Sequence, residues 1–206
     1  MTKAANTTRR RGSGRARSDD RMPPIPADRL TPAQRTVAET ISAGPRGRVS
    51  GPFIPALRSP ELASRLQHLG EYLRYDSSLA PKLRELVILL TAREWTQHFE
   101  WDVHAPLALK HGLRRDVIQA IAEGRRPAAM RPDEALVHDF CTELARNRIV
   151  GDATYERAVA RLGEQGVVDL VGTAGYYATL AMLMNVARTP LPRGRTRAMR
   201  PFPTGD

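Results

Sequence analysis

The sequence predicts an all-α fold of about seven helices, and three observations support this prediction. Apolar residues recur at helical spacing in several segments of the 206-residue chain. No segment of useful length alternates apolar and polar residues as a half-buried strand does. Proline and glycine stand at the boundaries of the periodic segments, where they begin and end helices. The length is sufficient for one domain with an apolar core.

The first helix is expected to begin after Thr31, because an N-cap residue is followed there by Pro32 at the first helical position. It should run through about Ser42. A long Gly/Pro-rich loop follows over residues 44–55, and ordered loops of this length often close over a site or an interface. Ser59-Pro60-Glu61 opens a second helix. Its apolar residues at helical spacing are Leu62, Leu66, Leu69, Tyr72 and Leu73.

Residues 81–97 form the most apolar segment and predict a buried helix. Residues 98–111 either continue that helix or form another one after a kink. A short helix is expected to run through Ala122 and to stop before Gly124. Three further helices are expected over residues 132–147, 152–162 (capped by Asp152) and 166–187, the last ended by Pro190 and Pro192.

The net charge of +10 is concentrated at the two ends of the sequence. Residues 1–22 are predicted to be a disordered basic arm, residues 23–187 a helical domain, and residues 188–206 a basic tail. Such arms can bind polyanions weakly by releasing counterions. Specific nucleic-acid recognition is not expected, because no reading motif accompanies the charge.

The single cysteine, Cys141, cannot form an internal disulfide. No run approaches the roughly 18–20 apolar residues that span a bilayer, and no hydrophobic signal region follows the N-terminus. The sequence therefore predicts a cytoplasmic protein with no membrane partner.

Polar residues interrupt the apolar segment between Glu85 and His104 at regular positions. Gln97, Glu100 and His104 are spaced i, i+3, i+7, so they share one helix face. His104 titrates near neutrality and is the best candidate for a general acid or base. Glu100, one turn earlier, can orient the imidazole or hold a proton. Glu85 can pair with His104 across the helix junction.

This order of residues, followed by a Pro/Ala/Leu-rich helix and a His-Gly-Leu turn, resembles the carboxymuconolactone decarboxylase family, which includes alkylhydroperoxidase D. In the peroxidase branch the positions of Glu85, Gln97, Glu100 and His104 hold a glutamate, two cysteines and a histidine. This chain keeps the spacing and lacks both cysteines. The resemblance implies an alkylhydroperoxidase D-like helical domain that forms a homo-oligomer, a trimer or a hexamer.

The resemblance also implies proton-transfer chemistry on a small carboxylated acid or lactone whose identity the sequence leaves open. No HExxH or paired Glu-x-x-His pattern is present, so neither a metal nor another cofactor is expected. The residues expected to act are His104, Glu100 and Glu85 in catalysis, and Gln97, Trp101 and Trp95 in substrate binding.

Two other functions stay open. A peroxidase or antioxidant protein of the alkylhydroperoxidase D type needs a thiolate and a resolving thiol, which the isolated Cys141 does not provide. A non-catalytic oligomeric scaffold would use the basic ends to bind an acidic partner. The two tryptophans would then be packing residues. Arginines that select a substrate carboxylate could come from Arg46 or Arg48, or from another subunit.

Overall fold

Residues 20–192 and 194–199 are described by a computed structural model, and these ranges contain eight α-helices and no β-strand. The predicted all-α class is confirmed. The helices are α1 (Pro32–Ala43), α2 (Phe53–Ala56), α3 (Pro60–Glu71), α4 (Pro81–Glu94), α5 (His98–Lys110), α6 (Arg115–Ala122), α7 (Pro132–Asn147) and α8 (Asp152–Ala187).

Helix α4 lies at the centre of the domain, in contact with α5, α6, α7 and α8. Its segment Leu86–Leu89 is fully buried, which is the physical outcome of an apolar run with no polar face. One apolar cluster joins α4 to α5, α6, α7 and α8. A smaller cluster joins α1, α2 and α3 to α4 and α8. The candidate site residues lie where α4 and α5 meet the second half of α8.

The boundaries of α1 and of the α4–α5 junction agree with the sequence patterns. Thr31 and Gln34 form a capping box at the start of α1. Of the two alternatives for residues 98–111, the separate helix is confirmed. The backbone leaves α4 after Glu94, Thr96 adopts a left-handed conformation with φ of +47°, and Gln97 caps α5.

Three expectations about the elements are wrong. The loop over residues 44–55 contains the start of α2, because Phe53 is buried and anchors a helical turn. Gly151, not Asp152, is the N-cap of α8. The two helices predicted over residues 152–162 and 166–187 are both present within α8, and they meet at a kink at Gly163, where φ is +72°. The predicted core face of α3 is also displaced. Of the apolar residues at helical spacing, Leu66 and Leu73 are buried, but Leu62, Leu69 and Tyr72 are exposed. Ala63, Gln67 and Gly70 are also buried.

The described parts of both basic ends contact the helical domain. The amide of Arg21 donates to the carbonyl of Ala187, and Arg195 lies 3.5 Å from the carboxylate of Asp102. Met199 is buried in the larger apolar cluster. The predicted tail therefore packs against the domain as far as residue 199. The rest of the predicted arm and tail, at residues 1–19, 193 and 200–206, lies outside the described residues.

Helix α8 is long and apolar enough, by length and composition alone, to cross a membrane. Half of its most apolar window is buried inside the protein, and the core helix of a soluble protein meets the same criteria. The helix contacts α4 and α7. Absence of a membrane partner stays a prediction.

Candidate active site

Helices α4 and α5 bring Glu85 and His104 into direct contact. His104 Nδ1 lies 2.7 Å from Glu85 Oε2, and the two side chains are 5% and 4% exposed. This is the pairing across the helix junction that the sequence suggested. A hydrogen bond to a buried carboxylate fixes the orientation of the ring. Nδ1–H donates to Glu85, so Nε2 is the nitrogen left to exchange a proton with a ligand.

Burial lowers the pKa of His104 below its ordinary value of 6.5. The hydrogen bond and the negative charge of Glu85 oppose this effect, and the positive charges of Arg74 and Arg46 add to it. The imidazole is therefore neutral near pH 7 in the resting protein. A neutral Nε2 is a proton acceptor, and Glu85 stabilises the imidazolium that protonation would create.

Glu100 lies one helical turn before His104 and is 3% exposed. Neither of its carboxyl oxygens has a hydrogen-bond partner among the described residues. Desolvation raises the pKa of this carboxyl well above its ordinary value of 4.5 and so favours its protonated form. Glu100 does not hydrogen-bond to His104, and the orienting role expected for it is taken by Glu85 alone.

Gln97 uses both ends of its side-chain amide inside the protein. Oε1 accepts from the backbone N–H of Phe99 at 2.8 Å, which caps α5. Nε2 donates to Asn185 Oδ1 at 2.8 Å, and Asn185 in turn donates to the carbonyl of Trp95. Gln97 therefore fixes the start of α5 against α8, where the sequence had suggested a free amide for a substrate.

The two tryptophans do not form the aromatic wall beside His104. Trp101 is buried in the larger apolar cluster, and Trp95 is 38% exposed at the break between α4 and α5. The ring that contacts His104 is Tyr177 of α8, edge to face at 5.1 Å. Tyr176 packs edge to face on Tyr177 at 5.2 Å. An adjacent pair of tyrosines among small residues of α8 was the only sequence signal for this wall.

The loop between α1 and α2 brings Arg46 to these tyrosines. Arg46 Nη2 donates to the hydroxyl of Tyr176 at 3.3 Å, and its Nε donates to the side chain of Gln67. Gly70 makes this approach possible, because a Cβ at that position would lie 2.1 Å from Tyr176 Oη and 2.6 Å from Arg46 Nη2. Burial raises the pKa of Tyr176 to about 12, so its hydroxyl is neutral.

The same loop also packs against the start of α5. Gly51 adopts φ of +55°, and a Cβ there would lie 2.6 Å from the ring of Phe99. The loop thus runs from α3 and Tyr176 to the turn that carries Glu100. The expectation that the Gly/Pro-rich loop closes over a site stays a prediction.

Cys141 lies on α7 and packs against the larger apolar cluster. Burial raises the pKa of its thiol to about 12, so the thiolate needed for a peroxidatic attack is not formed at neutral pH.

One surface cleft of about 240 Å³ lies between the start of α4 and the break in α8, lined in part by Leu83, Asp133 and Arg161. A second lies beside it around Leu136. Neither is lined by Glu85, Glu100 or His104, which are all buried.

The carboxymuconolactone decarboxylase family model matches residues 60–136, a range that contains Glu85, Gln97, Glu100 and His104. No curated protein matches the chain. The resemblance found in the sequence is therefore confirmed over residues 60–136.

Proposed function

We propose that this protein is an acid–base enzyme that decarboxylates or isomerises a small carboxylated lactone without a cofactor. One observation carries the proposal. A neutral, carboxylate-bound His104 and a protonated, unpartnered Glu100 stand one turn apart on α5 in a buried setting. Burial favours the neutral form of both groups, so Glu100 keeps a proton to donate while His104 keeps a free nitrogen to accept one.

The reaction can be written with these groups alone. The bond between the lactone ring and the substrate carboxylate breaks, carbon dioxide leaves, and the electron pair passes into the unsaturated lactone as a dienolate. Glu100 donates its proton to the carbanionic carbon and becomes a carboxylate. One proton from solution restores Glu100 in each turnover, for which His104 Nε2 is a suitable carrier.

Isomerisation would use the same two groups in a different order. His104 Nε2 removes a proton next to the lactone carbonyl, with Glu85 stabilising the imidazolium. Glu100 then donates its proton at the other end of the dienolate, so no net proton is consumed. The ring of Tyr177 excludes water from His104 in both cases.

The burial of all three residues requires that a substrate enters when part of their cover moves. We propose that the loop over residues 44–52 is that part. It contacts Tyr176 through Arg46 and Phe99 through Gly51, and it contains two glycines with positive φ, Gly47 and Gly51. Loops of this kind commonly sequester a reaction from water.

The test is turnover of carboxymuconolactone in deuterated water. Turnover is measured as carbon dioxide release, and the position of deuterium in the product is determined by NMR. We expect one solvent-derived deuterium in the product, at one of the two carbons that share the charge of the dienolate. Glu100→Gln should lower kcat about 10²–10⁴-fold, because the amide has no acidic proton. Glu164→Gln, an exposed control on α8, should keep wild-type kcat. Equal activity of the two variants on a substrate that the wild type turns over would show that Glu100 is not the acid.

The geometry around Cys141 disfavours the peroxidase alternative. Thiol-dependent peroxide reduction should be absent from the wild type and unchanged in Cys141→Ser, since the lone buried thiol is protonated. Peroxide reduction that disappears in the variant would support the redox function and contradict this reasoning.

We also propose that the chain forms a homo-oligomer, as the family resemblance implies. Apolar side chains on α3 and α8, among them Leu62, Leu69, Val168 and Val186, are exposed in the single chain. Burial of such a face is expected from association. Light scattering of the full chain would show a trimer or hexamer, whereas a monomer would contradict the proposal.

A further inference from the structure

Two arginines near the site have no acidic partner. Arg46 and Arg74 both act electrostatically on His104, and neither forms an ion pair with any residue in the described ranges. Arg74 lies in a π-helical turn that extends α3, at 5.6 Å from the ring of Tyr75. Partly buried cations without a counter-ion leave a positive potential beside the buried acid and base.

Arg46 is the better oriented of the two. Its guanidinium is fixed by Gln67, by the hydroxyl of Tyr176 and by the ring of Phe53, which lies 4.5 Å away. Gln67 is itself held by Glu71 at 2.6 Å. These contacts use Nε and one hydrogen of Nη2, and Nη1 has no protein acceptor in the part of the chain that the structure describes. A fixed guanidinium with free hydrogens matches the geometry of a carboxylate.

A chain of contacts joins the guanidinium of Arg46 to the proposed reacting groups, His104 and Glu100. Arg46 touches Tyr176, Tyr176 packs on Tyr177, and Tyr177 packs on His104. The negative charge that Glu100 would carry acts on both tyrosines, which places its carboxyl in the same neighbourhood. Along this chain of contacts only the two tyrosine rings lie between Arg46 and His104, so a small ligand that moves them aside would contact both groups.

We infer that Arg46 is the residue that binds a carboxylate of the substrate and so selects carboxylated lactones over neutral ones. This inference rests on the proposed function for its choice of substrate class. Arg46 touches the substrate without exchanging a proton with it, so its contribution should appear in binding. The exposed Arg48, two residues further along the loop, offers a matched control with the same charge and no contact with the site.

The test measures binding separately from turnover. The probes are 5-oxotetrahydrofuran-2-carboxylate, a saturated lactone acid, and its neutral methyl ester, titrated calorimetrically into the full chain. We expect the wild type and Arg48→Gln to bind the acid at least 10-fold more tightly than the ester. Arg46→Gln should lose at least 10-fold for the acid and less than 3-fold for the ester.

Arg46→Lys keeps the charge and guards against a folding defect in Arg46→Gln. It should retain wild-type helical circular dichroism and weaken acid binding by about 3-fold to 10-fold, because an ammonium lacks the guanidinium fork. Wild-type acid affinity in Arg46→Lys and Arg46→Gln would overturn the inference. So would equal affinity of the wild type for acid and ester, or no binding of the acid at all.

Failure of this inference is distinguishable from failure of the proposed function. If Arg46 binds the carboxylate in a protein that turns over no lactone, the binding differences persist without activity. If the protein is a decarboxylase and Arg46 has no role, Arg46→Gln keeps the wild-type KM while Glu100→Gln is inactive.

Discussion

Two buried histidines of this protein each lie beside a carboxylate, and the two pairs differ in whether an arginine also binds the carboxylate. His104 on α5 bonds to Glu85 at 2.7 Å, and no arginine within residues 20–192 and 194–199 forms an ion pair with that carboxylate. His138 on α7 lies 3.6 Å from Asp139, but Arg126 binds both Asp139 and the ring nitrogen of His138. The free negative charge beside the first histidine is neutralised beside the second.

The difference appears in what opposes desolvation at each ring. Burial lowers the pKa of both histidines. After burial, the largest influence on the pKa of His104 is the hydrogen bond to Glu85, which raises it. At His138 it is the positive charge of Arg126, which lowers the pKa further. A neighbouring carboxylate therefore opposes the desolvation of a histidine more strongly when no cation binds that carboxylate.

The largest expected effect is the difference in kcat between variants in which one or the other histidine ring is removed. His104→Gln should lower kcat on a confirmed substrate about 10²–10⁴-fold, because the base is lost. His138→Gln should change kcat less than about 3-fold, since α7 places this ring outside the site. Steady-state kinetics of the two variants, with circular dichroism to show that both are folded, make the measurement. Comparable losses in both would remove the distinction between the pairs.

A second effect concerns Glu100, the buried acid one turn before His104. It appears in the pH dependence of the free energy of unfolding. The pKa of Glu100 is raised in the folded state, so the folded protein holds a proton that the unfolded chain releases above about pH 4.5. Wild-type unfolding free energy should therefore fall relative to Glu100→Gln as the pH rises from 4.5, until the raised folded pKa is reached. The slope is at most about 1.4 kcal/mol per pH unit.

Urea unfolding of both proteins between pH 4 and 8 measures this difference, with Glu164→Gln as the exposed control. A pH-independent difference between wild type and Glu100→Gln would mean that the buried carboxyl is ionised in the folded state.

A smaller effect is expected on the pKa of His104 when the negative charge of its partner carboxylate is removed. Glu85→Gln keeps a side-chain acceptor for Nδ1–H but removes the negative charge, so the pKa of His104 should fall. The pKa of His138 should stay unchanged in the same spectra. Nitrogen-edited NMR of the histidine rings across pH 4 to 8 reports both. A rise at His104 would mean that Glu85 does not stabilise the imidazolium.

The smallest effect is expected at Arg126. Arg126→Gln removes the positive charge next to His138, so the pKa of that ring should rise slightly, opposite in sign to the Glu85→Gln effect at His104. Stability should change by no more than about 1 kcal/mol, because the Arg126–Asp139 pair is partly exposed. A lowered pKa at His138 would contradict the account of this pair.

The sequence predicted the features that depend on residues close together in the chain, such as helix starts and shared helix faces. The capping box at Thr31 begins α1, and one helix face holds Glu100 and His104 because their spacing equals one turn. The pairing of Glu85 with His104 required the junction between two neighbouring helices, and the family resemblance supplied that register.

The rest depends on contacts between distant parts of the chain. Tyr177 and Asn185 come from α8, and Arg46 from a loop before α2, and no periodicity specifies which of them meets His104 or Gln97. The displaced core face of α3 has the same origin. Its leucines favour one face by spacing, but the close approach of Tyr176 and Arg46 requires that the side with Gly70 faces inward.

Gly70 has a consequence for the history of this site. A glycine near the end of a helix is less favourable than alanine by roughly 0.5–1 kcal/mol, so drift would replace it where nothing opposes the change. Any methyl group at position 70 would overlap the Tyr176 hydroxyl and the Arg46 guanidinium. Position 70 should therefore evolve together with positions 46 and 176, and homologues could be sorted into those that hold this arginine–tyrosine contact and those that have abandoned all three residues.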